Sequence, residues 1–245
     1  MLHDEGGDGP PILLLHGLMG SSGTWRRALP WLRTLGHVHT YDAPGHRRPP
    51  PSTLTTESFV EDLAAHAETL GGAAVIGHSM GSLHGWCLAA ARPELVTALV
   101  VEDIAPDFRG RTADAWAAMI RNWPQPFPTE AAVLDYFGEV AGRYFLDSFT
   151  RREDGWYLHG EVSTFEAISS EWGRRDFWAE WEAVDVPSLL LEGEFGITPD
   201  GQMAEMHARN PKSEYVFVPG AAHLIHDESP QIYQEAVTSF LTALR

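Results

Sequence analysis

Cysteine occurs once in this 245-residue chain, as Cys87, so no internal disulfide can form. No run of 18 or more apolar residues exists, so no membrane-spanning helix is expected. Cationic residues are scarce: 17 Lys and Arg stand against 34 Asp and Glu, a formal net charge of −17. That balance argues against nucleic acid or an anionic membrane as a partner and otherwise reports solubility. The first residues, Met1-Leu2-His3-Asp4-Glu5, carry neither the basic region nor the apolar stretch of a signal peptide. Together these features point to a soluble cytoplasmic protein. The chain also lacks a Gly-x-Gly-x-x-Gly after a strand, a phosphate loop, and any His/Asp/Glu cluster at metal-ligand spacing. No cofactor and no metal are therefore expected. Internal repeats and low-complexity tracts are missing as well.

What is present alternates. Short apolar runs at Ile12–Leu15, Val38–Tyr41, Ala73–Ile76, Val96–Val101, Ser188–Leu191 and Tyr215–Val218 read as strands. Between them lie helical patterns. Glu57–Leu70 puts Phe59, Leu63, His66, Ala67 and Leu70 near one face, Asp200–Arg209 is helix-like, and a last helix starts at Ser229-Pro230. Strands separated by helices imply an α/β fold whose mostly parallel sheet is covered on both faces. Residues 107–182 break the rhythm: no strand is convincing there, and six of the nine tryptophans fall in that stretch. We expect 1–106 and 183–245 to form the core, and 107–182 a helical cap whose aromatics build a small core and line an apolar pocket.

The most informative stretch is Gly77-His78-Ser79-Met80-Gly81, set between the run Ala73–Ile76 and the helix-like Met80–Ala91. A serine at a strained strand-to-helix turn has its hydroxyl pushed clear of the backbone, and glycines two residues either side make room for the turn. The competing reading is an ordinary helix-capping serine. A serine nucleophile needs a base, and the base needs an acid to fix its tautomer. His223, after Gly220-Ala221-Ala222 and the strand Tyr215–Val218, is in the right place for the base, with His226 as its local rival. For the acid, Gly193-Glu194-Phe195-Gly196 has a glycine where a Gly-x-x-Asp aspartate would stand. Asp103, 24 residues after Ser79 at the end of the next strand, takes the role instead. Its neighbour Glu102 should point to the other side of that strand. Glu194 and Asp200 are the runners-up. The oxyanion donors expected are the backbone N–H groups of Met80 and Leu18, the latter in His16-Gly17-Leu18-Met19-Gly20. His16 reads as a support for that loop, Cys87 as a buried small residue, and Arg47-Arg48 as solvated.

In chain order, His16-Gly17, Asp42-x-Pro44-Gly45-His46, Gly77-x-Ser79-x-Gly81 and the late His223 resemble the α/β-hydrolase fold family across nearly the whole chain. Val101-Glu102-Asp103-Ile104-Ala105-Pro106, with no aspartate at the later site, is similar to a bacterial branch. Its members are serine esterases and thioesterase-like acyl hydrolases with the acid after the sixth strand. The resemblance implies an eight-stranded sheet flanked by helices, a helical lid, and serine carboxylesterase chemistry. The expected substrates are small-molecule esters or thioesters with apolar acyl or aryl groups. Relatives with the same triad cleave carbon–carbon bonds or make peracids, and a binding protein that has lost its chemistry is the reading from another class. Family members that dehalogenate or open epoxides put a carboxylate at the elbow, so Ser79 argues against both reactions.

Overall fold

The runs Pro11–Leu15 (PILLL), Val96–Glu102 (VTALVVE) and Ser188–Gly193 (SLLLEG) have no polar alternation because both of their faces are buried. In the computed structural model, which describes residues 1–111 and 114–245, they are central strands of a seven-stranded sheet. In chain order the strands are β1 (Leu2–Gly6), β2 (Pro11–Leu15), β3 (His37–Tyr41), β4 (Ala73–His78) and β5 (Val96–Glu102). Then follow β6 (Thr150–Arg152), β7 (Gly155–Tyr157), β8 (Ser188–Gly193) and β9 (Ser213–Val218). The sheet order is β1-β3-β2-β4-β5-β8-β9, parallel throughout except that β1 runs antiparallel on β3.

Two expectations are corrected here. The sheet has seven strands rather than eight, because the residues ahead of β2 hold only one strand and a glycine turn. The stretch 107–182 is not strand-free, since β6 and β7 pair as a separate two-stranded ribbon. β1 escaped notice because LHDEG is half-exposed at an edge and carries no apolar run.

The helix Met80–Ala91 is apolar all round, and ten of its twelve residues are buried, which is how a helix inside a core reads. It lies close on the sheet: a Cβ on Gly85 would come within 3.1 Å of Val75 Cγ1. Trp86 is fully buried and meets Trp181 edge-on, ring centroids 6.1 Å apart. Deleting such a side chain typically costs about 3–5 kcal/mol. The helix Thr56–Leu70 packs on the same face through Phe59, Leu63 and Ala67. It is capped by the Thr55 hydroxyl and closed by Gly71 in the left-handed region. The opposite face is filled by Trp25, Tyr233, Val237 and Phe240.

The aromatic residues described within 107–182 fall into distinct settings. Trp123, Phe127 and Phe149 form a separate apolar cluster, whereas Trp172 and Trp181 pack into the main core. Trp116, Phe145 and Trp172 face a cavity above the C-terminal ends of the strands. Loops leaving β2, β4, β5, β8 and β9 all emerge at that edge, where open parallel sheets place their sites.

Candidate active site

Ser79 follows β4 with φ +50° and ψ −120°, a region an L-residue occupies only when its surroundings impose it. Both flanking glycines are sterically required. A Cβ on Gly77 would lie 2.4 Å from Ser82 N, and one on Gly81 would lie 2.2 Å from Leu15 O. The turn is pinned by Ser79 N–H donating to Glu102 O at 2.9 Å, and the Ser79 side chain faces the cavity.

Asp103 directly follows β5, also with positive φ (+45°), and is fully buried. Its Oδ2 accepts from His223 Nδ1 at 2.6 Å and from Ile197 N at 3.0 Å, while Oδ1 accepts a longer bond from Gly193 N at 3.4 Å. With Nδ1–H donating to the carboxylate, His223 Nε2 is left as the acceptor. A Cβ on Gly196 would lie 2.0 Å from Asp103 Oδ1, so the Asp103 carboxylate fills the space beside the position where an aspartate was missing. Glu194 is exposed and accepts from Gly220 N, and Asp200 is exposed; neither pairs with His223. Ser79 and His223 line the same cavity of about 810 Å³, with Leu18, Ile104, Trp116 and Phe145 among its apolar walls. Among the described residues no hydrogen bond joins Ser79 Oγ to the imidazole. Bonds of this kind are often long without substrate and tighten in the complex.

The loop after β2 is shaped by two neutral histidines. His16 Nδ1–H donates to Gly17 O (2.8 Å) while its Nε2 accepts from Ala43 N (3.1 Å). His46 Nδ1–H donates to Pro44 O (3.2 Å) while its Nε2 accepts from Met19 N (3.1 Å). Met19 sits at φ +64°, so His46 holds a strained residue in place. Burial lowers both pKa values, that of His46 well below 6.5, which keeps the acceptor nitrogens unprotonated. Among the described residues, the N–H groups of Leu18 and Met80 have no partner within the protein. His16 supports the loop as expected; the part played by His46 went unread.

A second acid–histidine pair lies beneath the first. Glu102 points to the other side of β5, as side-chain alternation requires, and is fully buried. It accepts from His226 N at 3.0 Å and from His226 Nδ1 at 2.7 and 2.9 Å. Burial pushes the His226 pKa down, but Glu102 together with Asp227 and Glu228 outweighs that and raises it. His226 stacks on Trp25 and is no surface residue. The loop that carries His223 is tied further by His78 Nε2–H donating to His223 O (2.9 Å) and by Ala222 N–H donating to Glu228 Oε2 (2.6 Å).

Tyr144, on the helix Glu139–Ser148, also faces the cavity, and burial pushes its phenol well up so that it stays protonated. Arg47 and Arg48 are not merely solvated. Arg47 donates to the carbonyls of Asp147, Ser148 and Phe149, and Arg48 pairs with Asp62. Cys87 is buried as expected, and burial raises its thiol pKa.

No helix among the described residues is long and apolar enough to cross a membrane. Residues 12–236 match the family model described as the alpha/beta hydrolase family. Curated relatives include the 2-(acetamidomethylene)succinate hydrolase of Mesorhizobium japonicum, 28% identical over alignment covering 98% of this chain and 90% of that protein. Another is the sn-1-specific diacylglycerol lipase ABHD11 of Danio rerio, 29% identical, with 97% and 80% covered. Among solved structures, E-2-(acetamidomethylene)succinate hydrolase superposes with a TM-score of 0.87 at 24% identity, covering 98% of this chain and 94% of that one. At that identity the superposition speaks for the fold alone. The match over most of its length makes this chain a member of the alpha/beta hydrolase family.

Proposed function

We propose that the chain is a serine hydrolase that cleaves carboxylic esters or thioesters of small apolar acyl or aryl groups, with residues 107–182 as its cap. The observation that carries this reading is the 2.6 Å bond from His223 Nδ1 to the buried Asp103 carboxylate, beside a strained Ser79 on the same cavity. Ser79 Oγ attacks the carbonyl carbon as His223 Nε2 takes its proton. The tetrahedral oxyanion is held by the N–H groups of Leu18 and Met80, each such donor typically worth about 3–4 kcal/mol of barrier. His223 returns the proton to the leaving alcohol or thiol, the acyl group stays on Ser79, and water activated by the same imidazole releases the acid. Asp103 stabilises the imidazolium and fixes its tautomer. The apolar walls of the cavity support apolar acyl groups, and the relatives named for hydrolase and lipase activity support the reaction class.

Hydrolysis of p-nitrophenyl esters from acetate to decanoate tests this, with Ser79→Ala as the blank. Turnover that disappears in the variant is the expected result, and the preferred chain length sizes the pocket. An intact protein inert toward the whole series would move the reading to carbon–carbon cleavage or to binding without chemistry.

A further inference from the structure

We propose that Asp4, His37 and His39 form a binding site for one zinc-class divalent ion at the outer edge of the sheet. The expectation that the chain holds no metal cluster rested on sequence spacing, and Asp4 lies 33 residues before His37. Antiparallel pairing of β1 with β3 closes that gap. His37 and His39 alternate onto one face of β3, and the register sets Asp4 opposite His39. One ligand atom from each of the three residues lies within 4.8 Å of the others. The imidazoles stack nearly parallel, ring centroids 4.7 Å apart at 4°.

The donor chemistry suits zinc. Two imidazoles and one carboxylate make a three-ligand set, and a water would complete a tetrahedron. Imidazole nitrogens favour zinc over magnesium, which prefers oxygen. His37 Nε2–H now donates to Asp4 Oδ1 at 2.7 Å. The ion would take the place of that proton at Nε2, with the ring's N–H carried at Nδ1 instead, so that His37 ligates as a neutral imidazole while the carboxylate stays anionic. His39 Nδ1 is buried with no partner among the described residues, an unsatisfied polar atom on the same side chain. None of the three residues lines the cavity at Ser79. The ion would staple the edge strand β1 to β3, a structural use separate from catalysis.

Calorimetric titration of the full chain with Zn²⁺ tests the site, alongside His39→Ala, Asp4→Asn and a parallel Mg²⁺ titration. The expected result is one equivalent of zinc bound per chain and no displacement by magnesium. Affinity should fall at least about tenfold in each variant, and Tm should rise by about 5 °C at hundredfold saturation of the wild type and by no more than about half of that in either variant at the same zinc concentration. Circular dichroism on the variants confirms that they remain folded. Absence of saturable zinc binding to the wild type would overturn the proposal. Stoichiometric binding that survives both substitutions would overturn it too, because the ion would then lie elsewhere.

Discussion

Two consecutive acids at the end of β5 each hold a histidine from the segment that follows β9, yet only one pair faces open space. Asp103–His223 opens onto the cavity, with the imidazole side chain 28% exposed. Glu102–His226 is buried at both ends, and its ring stacks on Trp25. The chemistry is shared; what differs is which side of the strand each acid occupies. A histidine whose second nitrogen reaches a cavity can exchange protons with a substrate. One whose second nitrogen is buried among Trp25 and Tyr233 can only hold its loop in place. The buried pair therefore acts as the mount for the exposed one.

The largest effect that would sharpen this contrast falls on turnover. Asp103→Asn should lower kcat about 10³–10⁴-fold on the best ester with little change in fold, because the imidazole loses its tautomer control. Loss of activity on changing Glu194 or Asp200 instead, with Asp103→Asn near normal, would move the acid. His226→Leu should act on stability: it leaves the Glu102 carboxylate buried without the imidazole that donates to it, a loss of about 3–5 kcal/mol read by urea unfolding. Turnover per folded molecule should stay within about tenfold. The reverse pattern, normal stability with kcat down a thousandfold, would make His226 the base and break the comparison.

The parts of the site legible in the sequence are those whose constraints are local. The elbow could be read because Gly77 and Gly81 are forced by contacts within a few residues or with the adjoining strand. Asp103 could be read because Gly196 left the later place empty, and the carboxylate turns out to fill it. What could not be read depends on partners far along the chain. His226 meets Glu102 across 124 residues, and Met19 meets His46 across 27. Alternation showed where Glu102 would point, but nothing in the sequence showed what it would meet. Likewise β1 and the β6–β7 ribbon are short segments, half-buried in β1 and exposed in β6, held by pairing and not by an apolar pattern.

A smaller effect tests the loop that carries Leu18. His46→Phe removes the acceptor for Met19 N and should lower kcat about tenfold to a hundredfold with little change in KM, since one oxyanion donor is misplaced. His46→Gln, which can restore an acceptor, should recover part of the loss. Equal losses in the two variants would point to packing alone.

The smallest effect is on acid stability. His16, His46, His78, His84 and His159 are all lowered first by burial, His84 and His159 to about 3. The unfolded chain binds these protons near pH 6.5, the folded one only at lower pH. Their stabilisation is thus complete above about pH 6.5 and is lost as pH falls toward the folded values. His226, with its raised pKa, works in the opposite sense: its share is full below about 6.5 and is lost as pH rises through the folded value. The urea midpoint should fall between pH 6.5 and 4, and less steeply in His84→Leu. An unchanged slope in that variant would show that His84 is not held neutral.

The proposed activation of Ser79 by His223, under the control of Asp103, is open to direct test. The most direct measurement is the rate of fluorophosphonate labelling followed by intact mass and peptide mapping, in the wild type and in Asp103→Asn. A single adduct on Ser79 is expected, formed at least about a hundredfold more slowly in Asp103→Asn. An adduct on another residue, or equal labelling rates in the two proteins, would contradict it.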